Sequence, residues 1–280
     1  MPLPQQIRGI IFTEIVPQLT PEIESMSLVK LGAIVRQKAI ANKYEPLTDS
    51  LRKIQWVKLN GLKAVALEER FAKQSEKGAI QTADPVILIE HRLQVTDCVI
   101  HTKSALDSMA VFLTDLLELN AKEGDRDLKK GKFRESIAQK DTKLGELVHA
   151  LEPWLNELQR IRDEWIHIRS IRTAIVQGPS EVGIFPIPKD VTLELKAFEL
   201  PCTKENFWST KDFVNYHYSN SVRLFQGIVD RSIELEEKGL PTPVQVPDDE
   251  KNLMFWPIFV TQNMTVNKMK VYFGDRQPES

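Results

Sequence analysis

From Asp84-Pro85 to about Asn120 the apolar residues fall on helical spacing. Ile89, Leu93, Val99 or Ile100, Leu106, Met109, Leu113 and Leu116 recur at intervals of three, four and their multiples. That period keeps them on one side of a helix with 3.6 residues per turn, whereas a strand alternates its faces. Proline suits a first helical position, so Asp84-Pro85 is a natural start. A chain organised around so long a rod needs other helices to cover it.

Other segments share the period. Thr20-Pro21-Glu22 offers a hydroxyl cap followed by proline, and Ile23, Met26, Val29, Ala33, Ile34 and Ile40 follow at helical spacing. A second helix is expected from about residue 48 to 73, with Leu51, Ile54, Val57, Leu62, Val65 and Leu67 on its buried side and Gly61 as a weak point. Asp141 to Arg169 carries Leu144, Leu147, Leu151, Leu155, Leu158 and Ile161 inward, and Pro153 either kinks that segment or divides it. A last helix is expected from about Thr210 to Glu237, stopped by Gly239 and Pro241.

Between these the period changes. Val191 to Phe198 alternates as a strand does and, with Val182 to Ile187, makes a hairpin near 182–198. Short strands are also expected at Ile10 to Phe12, Phe255 to Val260 and Lys270 to Phe273. The expected fold is mainly α. It has an additional helical N-terminal region over 1–80, a helical domain with a small β-hairpin insertion over 81–240, and a tail over 241–280.

Composition narrows the function classes. A net charge of −2 provides no global field for a polyanion, so any nucleic-acid contact must be local. Cys98 and Cys202 form no C-x-x-C pair, which argues against a disulfide framework or a thiolate zinc site. No run of about 18 apolar residues exists to span a bilayer. The N-terminus lacks a cleavable-signal pattern, so a cytoplasmic protein away from the membrane is expected. Dinucleotide, zincin and nucleophile-elbow motifs are absent. Gly124 and Gly131-Lys132 imitate a phosphate loop, but six residues separate the glycines and Phe133 stands at the hydroxyl position, leaving a solvated charged loop over 121–132. His91, His101, His149 and His217 each sit alone on helical patterns and read as satisfied polar groups. The pattern asks for no metal or other cofactor.

The exception is Arg160-Ile161-Arg162-Asp163-Glu164-Trp165-Ile166-His167-Ile168-Arg169. Ile161, Trp165 and Ile168 anchor this window, while arginine, carboxylate and histidine crowd its other positions. On an ideal α-helix Arg160 and His167 share a face, whereas Arg162 and His167 stand about 140° apart unless the helix breaks. Asp163, at i−4, is placed to orient the His167 ring. Two readings stay open at this level. The segment is either a salt-bridged helix end facing water or a site in which histidine moves a proton and arginine steadies a phosphoryl charge.

Arg162-Asp163-x-x-x-His167, late in a helical arrangement, resembles the R-x4-6-H motif of the HEPN superfamily, and Lys103-Ser104-Ala105-Leu106-Asp107-Ser108-Met109-Ala110 resembles the first core helix of many of its members. The resemblance covers roughly residues 85 to 238. It implies a HEPN-like helical bundle, a metal-independent endoribonuclease acting on RNA in a toxin or phage-defence setting, and a homodimer whose two motifs share one cleft. Arg162, His167 and Asp163 would be the catalytic set, with Arg160, Arg169 and Arg172 binding substrate. An antitoxin or other protein partner belongs to the same picture. The alternative is a non-catalytic helical module that binds nucleotides or proteins.

The dimer has a second motive. Val111-Phe112 beside Met109 and Leu113, and Phe213, Tyr216 and Phe225 near the end, exceed what one buried stripe needs. That surplus is expected to pack in part on the N-terminal helices and in part across a two-fold axis near 160–170.

Overall fold

A computed structural model describes residues 25–38, 40–75, 85–168, 175–177, 182–184, 187–188, 207–238 and 240, and within these the chain is mainly helical. The α-helices are α1 (Ser25–Gln37), α2 (Glu45–Ser75), α3 (Pro85–Leu116), α4 (Gly131–Lys140), α5 (Thr142–Ala150), α6 (Glu152–Arg162) and α7 (Thr210–Glu237). A π-helical turn, Asp163–Ile168, continues α6. No helix among the described residues is long and apolar enough to cross a membrane.

Among the described residues two short antiparallel pairs make up the β structure. β1 (Ile175–Gln177) pairs with β2 (Val182–Ile184), and β3 (Ile187–Pro188) pairs with β4 (Phe207–Trp208). The first half of the expected hairpin thus bonds backwards, Val182 opposite Gln177. Its second half, 191–198, lies outside the described residues, as do the other expected strands and the start signal at Thr20-Pro21.

The chain forms two compact units. One comprises 1–51, 107–149 and 222–280; the other comprises 52–106 and 150–221. In the first, Leu28, Leu31, Ile34, Phe112, Leu113, Phe225 and Ile228 are all inaccessible to solvent. The Tyr44 and Phe112 rings meet with centroids 5.0 Å apart. Glu236, also buried, is held by Lys38 at 2.7 Å, Lys43 at 3.0 Å and the Tyr44 hydroxyl at 3.3 Å, so its charge is compensated where water is excluded. Asp141 joins α4 to α5. Its Oδ1 accepts the Leu144 N–H at 3.0 Å, and its Oδ2 accepts from Arg231 Nε at 2.6 Å.

In the second unit, the buried side of α2 runs Ile54, Val57, Gly61, Ala64 and Phe71. Leu62, expected on that side, is exposed, and Val65 and Leu67 are half-buried. Gly61 proves to be a contact rather than a weak point, since a Cβ there would come within 2.1 Å of Val214 Cγ1 of α7. Over the same unit α3 buries Ile87, His91, Val95, Cys98 and Thr102, while Ile89, Leu93 and Ile100 face solvent. Of the expected stripe Ile89 and Leu93 are thus misplaced, whereas Val99, the alternative to Ile100, is buried with Leu106, Met109, Leu113 and Leu116.

Pro153 marks a division rather than a kink. α5 ends at Ala150, and α6 begins with proline in its first turn. α4 occupies residues to which the sequence reading gave no helix. Phe133 and Ile137, at i,i+4, are its buried pair. Most of the apolar surplus expected to remain for a two-fold contact is taken up within the chain: Met109, Phe112, Leu113, Phe213 and Phe225 are buried, leaving Val111 and Tyr216 half-buried.

Candidate functional site

α6 carries the charged window, and its inward residues fix its rotation. Trp154, Leu155, Leu158 and Ile161 are buried, and Trp165 of the π-turn is 4% exposed with its ring 5.5 Å from that of Phe213. Trp154 Nε1 donates to His217 Nδ1 at 3.0 Å, tying α6 to α7 through a buried pair. With apolar residues holding this side, the polar positions of α6 stand toward its rim.

On that rim Arg162 Nη1 lies 3.4 Å from Asp163 Oδ1, with the two side chains 33% and 50% exposed. The same Oδ1 accepts from Gln159 Nε2. Asp163 therefore holds Arg162, a role the sequence reading did not assign to it. Arg160 is exposed and lies close enough to Glu157 for its charge to matter. Burial raises the Glu157 carboxyl above the usual range, while a hydrogen bond from Tyr216 and the Arg160 charge pull the other way. Tyr216 is pushed up to about 12 by burial and by that carboxylate, and its ring stacks 5.1 Å from Trp208. Glu157, Gln159 and Trp208 carry no signal in the sequence reading, and Tyr216 enters it only as apolar surface; the (i, i+4) step from Gln159 to Asp163 is the one legible hint.

The backbone changes character inside the motif. α-helical geometry ends at Arg162, and Asp163–Ile168 follows the i→i+5 bonding of a π-helix. A π-turn advances about 80° per residue rather than about 100°, so position 167 comes round to within about 40° of position 162. The same change carries position 160 about 120° away. This reverses the ideal-helix geometry, in which 160 was aligned and 162 was not. His167 has its backbone in this turn, its side chain lies outside the described residues, and so do Arg169 and Arg172 altogether.

His91, His101 and His217 make contacts within the second unit, and His149 is exposed. His91 Nε2 lies 3.0 Å from Thr210 Oγ1, and burial lowers the ring to about 4. His101 stacks on Trp56 with centroids 6.1 Å apart. Among the described residues no three His, Cys, Asp or Glu side chains gather as a metal site. The chain matches no family model, no curated protein and no solved structure.

Proposed function

We propose that this protein is a HEPN-type endoribonuclease that cleaves RNA without a metal ion, working as a homodimer in a toxin or phage-defence setting. The observation that carries the reading is the π-turn at Asp163–Ile168, which brings backbone positions 162 and 167 toward one side. π-turns inside α-helices occur frequently at functional sites.

In this reading His167 takes the proton from a ribose 2′-hydroxyl. The 2′-oxygen attacks the adjacent phosphorus, and the 5′-oxygen leaves with a proton supplied by an imidazolium. The products are a 2′,3′-cyclic phosphate and a free 5′-hydroxyl, with no water consumed. Arg162 stays protonated throughout and meets the charge growing on the phosphoryl oxygens. Asp163, itself bonded by Gln159, holds that guanidinium in advance. Arg160, Arg169 and Arg172 supply phosphate contacts along the strand.

The test is incubation of the full chain with mixed RNA in excess EDTA, comparing wild type with Arg162→Ala and His167→Ala and identifying the new ends. Cyclic phosphate ends that disappear in both variants support the reading. Cleavage unchanged by both substitutions, or no cleavage of any RNA, leaves a non-catalytic helical binding module in its place.

A further inference from the structure

Residues 86–100 of α3 are apolar on two opposite sides. Ile87, His91, Val95 and Cys98 are buried, whereas Val86, Ile89, Leu93 and Ile100 are 51%, 58%, 55% and 41% exposed. Spacings of three, four and seven hold the exposed four within about 60° of the helix circumference, in a stripe about 21 Å long. Val86, Leu93 and Ile100 lie seven apart, the repeat with which helices mesh side by side.

Within the same unit α2 runs antiparallel alongside. Cys98 Sγ donates to the Val57 carbonyl at 3.4 Å, Lys53 Nζ donates to that of Ser104 at 3.3 Å, and Phe71 packs with Ile87. Trp56 of α2, 47% exposed, stacks on His101. Between the helices lies a groove of about 500 Å³ lined in part by Ala66 and Leu67. Lys63 and Arg70 border it on α2, and Glu90 and Gln94 border it on α3. Exposed apolar side chains are usually scattered singly over a monomer; a tryptophan and four aliphatics on one helix pair make a patch of the kind that associates.

We propose that this face seats a second copy of the chain, with α2 of each protomer lying over α3 of its partner about a two-fold axis parallel to the helices. The charges select that arrangement. A two-fold contact must be self-complementary, and this face carries cations on α2 and a carboxylate on α3. An axis along the helices sets Lys63 and Arg70 of one protomer toward Glu90 of the other. An axis across them would set both cations against their own copies. The inference does not depend on the ribonuclease reading, and it places the contact away from the surplus of Phe112, Phe213 and Phe225 that the chain buries itself.

The experiment is sedimentation equilibrium of the full chain from 1 to 100 µM, for wild type, Ile89→Glu/Leu93→Glu, Lys63→Glu/Arg70→Glu, and the last combined with Glu90→Lys. All changes sit at exposed positions, and circular dichroism checks that helix content is kept. A dimer is expected for wild type, with dissociation at least about 100-fold easier for Ile89→Glu/Leu93→Glu. Lys63→Glu/Arg70→Glu should weaken it about tenfold, and Glu90→Lys should restore much of that loss. A wild-type monomer throughout the range overturns the proposal. So does a dimer indifferent to Ile89→Glu/Leu93→Glu, which would move the contact elsewhere, including to the cleft of the ribonuclease reading.

Discussion

Trp154 Nε1 donates to His217 Nδ1 at 3.0 Å, so His217 must carry its own proton on Nε2, where no partner is found among the described residues. Burial holds the ring neutral, with its pKa lowered to about 3. The unfolded chain takes up a proton near pH 6.5 that the folded chain refuses. The His217 contribution is therefore fully present above about pH 6.5 and is lost as pH falls toward the folded value. His217→Gln keeps an acceptor for Trp154 but does not titrate. The stability advantage of wild type over this variant should shrink by about 1.4 kcal/mol per pH unit between pH 6 and 4. Urea unfolding of both proteins at several pH values measures it, and a constant difference would refute the neutral-ring account.

Arg162→Ala should lower RNA cleavage by at least about 100-fold, and Arg160→Ala by less than about tenfold. The ranking follows from the π-turn, which carries position 162 toward 167 and position 160 away. On an uninterrupted α-helix the order would be the reverse. Rates for the two variants on one labelled RNA decide between the geometries.

Gly145→Ala should destabilise the fold by about 1–3 kcal/mol, because a Cβ there meets the Ala138 Cα at 2.5 Å. The obstacle is backbone, so α4 and α5 must separate to admit the methyl group. Gly61→Ala should also destabilise, since a Cβ there meets Val214 Cγ1 at 2.1 Å and a helical valine has one strongly preferred rotamer. Thermal unfolding of the two variants beside wild type checks both.

Glu118→Gly should stabilise the protein by about 1 kcal/mol. Glu118 has φ 50, and the Leu119 N–H reaches back to the Thr114 carbonyl at 2.9 Å, which closes α3 in the manner that favours glycine. A lower midpoint in urea would mean that the glutamate makes a compensating contact.

Helix period was legible in the sequence, and helix phase was not always so. Thr210–Glu237 has the bounds expected from the sequence, and Ser209 Oγ accepts the Asp212 N–H at its start. On α2 the expected Leu51, Ile54 and Val57 are buried and Leu62 is not; on α3 Val99, Leu106, Met109, Leu113 and Leu116 are buried while Ile89 and Leu93, equally apolar, are exposed. Periodicity counts such residues without knowing which neighbour will cover them. α4 was hidden because Phe133 and Ile137 are the only large apolar side chains in it. Arg162 and Asp163 could be found from spacing alone, but the turn that reorients them is a backbone event with no signature in composition.

The two-sided character of α3 has a consequence for how the chain finds one structure. Turned by about half a revolution, residues 86–100 would offer the interior four aliphatic side chains of comparable size, so apolar content alone leaves the helix nearly indifferent to its own rotation. Polar groups break the tie. His91 finds Thr210, and Cys98 finds the Val57 carbonyl, only on the side that is buried. Turning the helix would give up both bonds, at about 0.5–1.5 kcal/mol each. Over residues 86–100 these hydrogen bonds thus favour the side that Leu106, Met109, Phe112 and Leu113 also bury further along α3.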